Sequence, residues 1–231
     1  MSGCVQVEIR HVTRLDASCR TAMERLYRTY YEGAPDVTFA RDLKAKDLVI
    51  LLRDRQDVVG FSTLKFLDVE GVRVVFSGDT VVAETCRNQV GLAGAFGRVM
   101  ARLAAADDPR VPYWFLICKG ARTYRFLPTF FRRYVPGGRD DVELSSLLRR
   151  LAIHLYPQAF NPRTGILHFG PGKDRLKTDV LRMDTESRRF RALNPNWSAG
   201  DELACLAPLA MDNLTPAGQR VIAAVNPVWM L

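Results

Sequence analysis

Histidine is scarce in this sequence and cysteine is scattered, which removes several chemistries at the outset. Among 231 residues there are three histidines and five cysteines. Cys4, Cys19, Cys86, Cys118 and Cys205 lie far apart, with no CxxC pair and no Cys/His grouping, so a structural zinc site is not expected and no metal is assigned. An odd number of separated cysteines without a secretion signal points to reduced thiols. Cys118 in "WFLICKG" and Cys205 in "ELACLAPL" sit in the settings of small core residues. No apolar run approaches the roughly 20 residues of a membrane span. The start, "MSGCVQVEIRHV", lacks the basic-then-apolar order of a secretory leader, so a cytoplasmic location is expected. There is no internal repeat, long linker or low-complexity stretch.

What is present is a globular composition: 48% hydrophobic and 10% aromatic residues, enough for a substantial core. The net charge is +8, from 33 Lys and Arg against 25 Asp and Glu. A basic surface attracts anionic partners, among them a nucleotide cofactor, an acidic carrier protein or RNA, and charge alone does not choose among them.

The segment "VQVEIRHVT" alternates as a half-buried strand, and "RLDASCRTAMERLYRTYYEGA" has helical spacing ended by Gly33 and Pro35. A loop is expected around "DVTFARDLKAKD". Three strand-like segments follow, "LVILLRD", "DVVGFSTLKFLDV" and "VRVVFSGDTVVA", and their short turns predict an antiparallel meander. The stretch "AETCRNQVGLAGAFGRVMARL" then enters a helix reaching about Ala106. After it, "YWFLIC" reads as a strand covered on both faces and parallel to the strand before the helix. "ARTYRFLPTFFRRY" is expected to be helical, with a break near Pro128. "DVELSSLLRRLAIHLY" and "ESRRFRALNP" read as helices and "GILHFG" as a short strand. "ELACLAPL" is the last strand candidate, and "TPAGQRVIAAV" a terminal helix capped by Thr215.

This order of elements, from Val5 to Tyr134, resembles the GNAT superfamily of acyl-CoA-dependent N-acyltransferases. The resemblance implies an α/β (α+β) fold: a central mixed, mostly antiparallel sheet flanked by helices, in a single domain over 1–231. Within it, 1–136 matches the family order and 137–231 is a C-terminal elaboration completing the sheet. In the family, the fourth strand and the following helix start hold the coenzyme A pyrophosphate through backbone N–H groups, where a helix offers unpaired donors and partial positive charge. The family consensus is Gln or Arg, two residues, Gly, one residue, then Gly or Ala. The nearest match is "NQVGLA", with Asn88 in place of Gln or Arg and Arg87 one residue early. The resemblance therefore implies donor contacts at Val81, Val82, Ala83, Arg87, Asn88, Gln89, Val90, Gly91, Leu92 and Ala93. The alternative for this helix start is a run of small residues that only pack against the sheet.

A departure from consensus suits a donor other than free coenzyme A. Relatives of the fold, the N-acyl amino acid synthases and acyl-homoserine lactone synthases, take acyl chains from acidic acyl carrier protein. Arg98, Arg102, Arg110, Arg132 and Arg133 would suit such docking, or equally an aminoacyl-tRNA. Coenzyme A or phosphopantetheine thioester is thus a donor substrate, with no tightly bound cofactor expected and a small-molecule amine as acceptor.

Attack of an amine on a thioester needs a base, a polarised carbonyl and a proton for the leaving thiolate. Base candidates are Asp79 and Glu84; Asp79 after Gly78 also fits a turn or bulge, and Glu84 a helix's first turn. Tyr124, where the family's tyrosine usually lies, is the candidate acid, with Tyr134 as competitor. Lys119 is a candidate phosphate or carboxylate contact. Cys118 has no histidine near it in sequence, so covalent catalysis is not expected. In "LNPNWSAGDELACLAPL", Trp197, Asp201 and Glu202 form either an acceptor pocket or a loop anchored by a buried tryptophan. The reading is an amide-forming N-acyltransferase; alternatives are an aminoacyl-tRNA-dependent transferase or a non-catalytic binding module of the same fold.

Overall fold

The computed structural model describes residues 5–33, 37–87, 91–104, 108, 110–170, 175–177 and 184–230. The alternating start becomes β1 (Gln6–His11). Helix α1 (Ala17–Tyr30) begins where the Asp16 carboxylate accepts a hydrogen bond from the Cys19 N–H at 2.7 Å, and it buries Cys19, Met23 and Tyr27 at four-residue spacing. A two-residue β2 (Tyr31–Glu32) follows. Next comes α2 (Val37–Lys44), where a loop was expected. Its apolar face is only Phe39 and Leu43, one turn apart, and it becomes a helix by burying both against the cluster around α1.

The meander is β3 (Leu48–Asp54), β4 (Asp57–Val69) and β5 (Val72–Val82), antiparallel throughout. Helix α3 (Gly91–Ala104) and the strand β6 (Tyr113–Cys118) follow, with β6 parallel to β5. Alternate residues of β6 enter opposite clusters, Trp114, Leu116 and Cys118 on one face and Phe115 on the other. The aromatic segment forms two short helices, α4 (Ala121–Tyr124) and α5 (Phe126–Phe130), parted at Arg125. Pro128 lies in the first turn of α5, where a missing N–H costs nothing, so the break falls before it.

Helix α6 (Val142–Leu155), capped by Asp141, buries Leu144, Leu147, Leu148, Leu151 and Ala152. Short β7 (Phe160–Asn161), β8 (Ile166–Leu167) and β9 (Arg175–Leu176) precede α7 (Thr185–Leu193). The chain ends with β10 (Glu202–Pro208), α8 (Pro216–Ala224) and β11 (Val228–Met230). The Thr215 hydroxyl accepts from the Gly218 N–H at 3.1 Å, the expected cap. The "ELACLAPL" strand is not the last: β11, too short to carry a period, pairs parallel with β1.

One nine-stranded sheet runs β11-β1-β3-β4-β5-β6-β10-β8-β7, and β2 pairs with β9 apart from it. Only the β1–β11 and β5–β6 pairs are parallel, so the sheet is mixed and mostly antiparallel. Helices α3, α4, α5, α7 and α8 contribute to the core on one face. On the other face α1 and α2 cover the β1–β5 half, and α6 covers the half around β6 and β10. Between these two lobes the face is left open where β5 meets β6.

Helices α3 and α8 pack closely because a side chain on Gly97 would overlap Ile222, and one on Gly94 would overlap Val225. Replacing Gly97 with Val forces overpacking at this crossing; chemical denaturation should show a loss of about 1–3 kcal/mol, and unchanged stability would refute the close crossing.

Candidate active site

The site arises where the sheet comes apart. The β5–β6 ladder pairs Val74 with Tyr113 through Ser77 with Leu116 and goes no further. At the same place β5 carries an extra residue: Ser62 of β4 faces Thr80, while Leu64 faces Ser77. One residue of β4, Thr63, therefore faces two of β5, a bulge at Gly78–Asp79. Its effect on side-chain direction is visible in the core. Val74 and Phe76 lie on the α6 face, and Val81, an odd number of residues later, still lies on the α1 side of the same face. Without the extra residue that alternation would have turned Val81 to the α3 side.

A cleft of about 640 Å³ fills the gap and is lined from both faces of the sheet. On the α3 side stand Leu92, Ala93, Gly120, Thr123, Phe126 and Phe130 with the cations Arg87, Arg122 and Arg125. On the α2–α6 side stand Phe76, Ile117, Tyr156 and Phe169, with Arg41, Lys46 and Lys119 and the carboxylates Asp42 and Glu202. Asp79 lies on β5 itself, in the bulge.

Lys119 and Glu202 form an ion pair at 2.6 Å, with side chains only 14% and 1% exposed. A carboxylate so deeply buried requires its partner, since desolvation is costly unless the charge is matched. Tyr156 follows the end of α6 and stacks 6.3 Å from Phe115, with Phe169 edge-on at 5.6 Å. Burial raises its hydroxyl pKa, and the charges of Glu202, Asp42 and Asp79 push the same way against that of Lys119. The phenol, neutral at pH 7 even when unperturbed, is held still further from ionisation.

Of the expected donor contacts, Val81, Val82, Arg87, Leu92, Ala93 and Lys119 line the cleft. Asn88, Gln89 and Val90 lie outside the described residues. Ala83 is part of the turn, its N–H donating to Val59 at 2.7 Å. Gly91 has a packing role: a Cβ there would stand 3.1 Å from Val7 and 3.3 Å from Leu52, so the glycine brings α3 close to the sheet. Arg87 is held over the Tyr30 ring at 4.8 Å, and its Nε donates to the Val82 carbonyl at 3.2 Å.

The other catalytic candidates separate. Asp79 is in the cleft, but Glu84 is not: its side chain is 81% exposed and pairs with Arg87 at 3.4 Å. Tyr124, the candidate acid, is wholly buried against Phe190, and its hydroxyl donates to the Pro136 carbonyl at 3.1 Å. Desolvation raises its pKa, and it is not among the residues that line the cleft. Tyr134 is likewise buried, its hydroxyl directed to the Gly137 carbonyl. In the C-terminal loop only Glu202 reaches the cleft. Asp201 pairs with His168 at 2.6 Å and Trp197 lies under Arg191 at 5.3 Å. Cys118 and Cys205 are buried neighbours, their sulfurs 3.9 Å apart.

The five arginines expected to dock an acidic carrier are engaged within the chain. Arg98 and Arg132 donate to the carbonyls of Val225 and Leu214, Arg110 and Arg133 pair with Asp108 and Asp141, and Arg102 stacks on Trp229 at 4.7 Å. Among the described residues no group of three or more His, Cys, Asp or Glu side chains is placed to share a metal ion, and no helix is long and apolar enough to cross a membrane.

No protein-family model matches the sequence, and no curated protein matches it. Solved structures with a similar fold are distant in sequence. A GNAT-family N-acetyltransferase of Escherichia coli in complex with CoA is 17% identical, over 57% of this chain and 72% of that one, with a TM-score of 0.40. A Mycobacterium tuberculosis protein in complex with CoA is 14% identical over 87% of this chain and 99% of that one, also at 0.40. With a conserved protein of Enterococcus faecalis, 13% identical at 0.40, the match takes in 57% of this chain but only 33% of that one. At these values the likenesses carry nothing about chemistry, which has to come from the cleft.

If Tyr124 is a core residue, Tyr124→Phe should lower stability by about 1 kcal/mol through loss of its hydrogen bond. Ligand binding in the cleft should stay within twofold; a selective loss of turnover at full stability would return the tyrosine to catalysis.

Proposed function

We propose that the chain is an N-acyltransferase that moves an acyl group from a coenzyme A thioester to an amine by direct attack. The observation that carries this is the parting of the parallel β5–β6 pair at the Gly78–Asp79 bulge, which opens one cleft to both faces of the sheet. Two substrates can then meet from opposite sides, with the reacting carbonyl beside β5.

Charge supports the choice of sides. The α3 mouth is lined by Arg87, Arg122 and Arg125; Arg87 and Arg125 also pair with Glu84 and Asp184, which do not line the cleft, and the excess of cations in the lining suits the phosphates of the donor. Ala93 and Gly120, with little or no side chain, leave room for a narrow pantetheine arm. The α2–α6 mouth, with carboxylates and an aromatic wall, suits the amine. Coenzyme A is preferred to a carrier protein because the free-standing basic face that a carrier would need is tied up in internal contacts.

In the reaction the amine nitrogen forms its bond to the acyl carbon as the carbon–sulfur bond breaks. We assign Asp79 as the base that takes the amine proton, because it lies in the bulge between the two mouths. Tyr156, a neutral phenol at pH 7, donates a hydrogen bond into the same space, the role the family resemblance had placed on Tyr124. Lys119 holds Glu202 ionised and in place at the acceptor wall. The leaving thiolate takes a proton from water in the open cleft, and Asp79 returns the amine proton to solvent, so the protons balance.

Calorimetry with CoA tests the donor mouth. Arg87→Ala and Arg122→Ala should each weaken binding about tenfold, the value of a charge-assisted hydrogen bond to phosphate, and Ala93→Phe should block it by filling the passage. Incubation of acetyl-CoA, a loaded carrier protein or charged tRNA with amines, read by mass spectrometry, separates the donors. Amide formed only from carrier or tRNA would replace the coenzyme A assignment, and binding without product from any donor would make the chain a binding module.

A further inference from the structure

Resting on the coenzyme A donor reading, we propose that Tyr30, the last residue of α1, is a positioning residue for the donor. It acts through Arg87, whose guanidinium it fixes for the phosphates. Arg87 stands one residue early against the family consensus. It lines the cleft all the same, and a side chain from a different lobe helps to hold it there.

Among the described residues three contacts hold this guanidinium. Its Nε donates to the Val82 carbonyl at 3.2 Å, and its Nη1 reaches Glu84 Oε1 at 3.4 Å, both within the turn after β5. The third contact is with α1, where the guanidinium carbon lies 4.8 Å from the centre of the Tyr30 ring. Glu84 is 81% exposed, so its long ion pair is screened by water and holds weakly. The arginine side chain is only 21% exposed, the setting in which a cation over an aromatic face gains most. Nη2 makes no hydrogen bond among the described residues, so the stack fixes the plane of the fork while leaving donors for a ligand.

Tyr30 grips the same turn a second time. The chain leaves β5 through Ala83, whose methyl group cannot cap the short helical turn Glu84–Cys86. The Tyr30 hydroxyl takes that place and accepts from the Glu84 N–H at 3.0 Å. One side chain therefore satisfies the backbone just before Arg87 and also covers the guanidinium. A free arginine loses rotamer freedom when it binds phosphate, and one already held has less to lose.

The tyrosine is itself anchored by the C-terminal part of the chain. Directly after it β2 pairs with β9: the Lys177 N–H donates to the Tyr30 carbonyl at 2.9 Å, Tyr31 faces Leu176, and Arg175 pairs with Glu32 at 3.0 Å. The small second sheet thus ties a segment beyond residue 136 to the donor mouth. Tyr30 also lines the cleft, so its rival role is a contact of its own with the donor.

A double-mutant cycle separates the two roles. Calorimetry with CoA is run on the parent chain, Arg87→Ala, Tyr30→Leu and the double variant, with thermal midpoints measured beside them. Tyr30→Leu should weaken CoA binding about fivefold, the value of a partly desolvated cation–π contact, and Tyr30→Phe, which keeps the ring, should stay within about twofold of the parent. In the Arg87→Ala chain the same Tyr30→Leu change should alter affinity by less than about twofold, because the group it positions is gone. Tyr30→Gln, also without a ring, repeats the cycle if Tyr30→Leu lowers the midpoint. Unchanged affinity in Tyr30→Leu overturns the proposal. So does an equal loss with and without Arg87, which would make the tyrosine a donor contact in its own right or a support of the fold. If CoA binds the parent and Arg87→Ala equally well, the proposal fails while the donor assignment stands. Absence of CoA binding to the parent overturns the donor assignment, and this proposal with it.

Discussion

The cleft in this molecule depends on a broken ladder. Two parallel strands share four residue pairs and then separate, because an extra residue in β5 ends its regular pairing at Gly78–Asp79. A sheet that continued its hydrogen bonds through this point would be a closed wall with helices on both sides. The interruption makes it a wall with a slot, and the slot is stable because the elements beside it are firmly packed. On one side α3 sits against the sheet through Gly91. On the other, α1 with α2 and α6 form two separate lobes, each with its own apolar cluster, and the cleft is the space neither covers.

The polar groups in the slot are arranged by the same construction. Glu202 extends from β10 and Lys119 from the end of β6, adjacent antiparallel strands, which brings opposite charges together at a depth where either alone would be strongly disfavoured. Lys46 approaches from the opposite lobe across Gly78, which has no side chain. Tyr156 enters from the end of α6, fixed by its ring contacts. The result is a cleft with lining charges of both signs on the α2–α6 side and three lining arginines on the α3 side, two of them paired with Glu84 and Asp184.

Much of the fold was legible in the chain. Alternation marked β1, the meander strands carried continuous β-type runs between short turns, and the unalternating "YWFLIC" correctly implied burial on both faces and a parallel neighbour. The cap at Thr215 sits where local side-chain chemistry makes a helix start recognisable. What was missed was short or sparse: α2 has eight residues, of which Phe39 and Leu43, one turn apart, enter the apolar cluster, and β11 has three residues in all. Neither holds enough of a period to stand out, and each is stabilised by what it packs or pairs with.

The site divides along a similar line. Sequence alone marked the β5–α3 junction, with Asp79, Arg87 and Ala93, because bulges, helix starts and small residues are local features. It also marked Lys119, at the end of the buried strand. It did not foresee the burial of Tyr124, since a position in a helix does not say which way a side chain faces, and packing turned this one into the core. It had no means of joining Lys46, Tyr156 and Glu202 to the same cleft, because they come from segments more than forty residues apart. The sequence by itself therefore determined the periods, the caps and the small-residue junction, which depend on neighbours along the chain. Only the tertiary structure decided which charges and hydroxyls meet, because burial and electrostatics act across space between strands and helices that the chain brings together late.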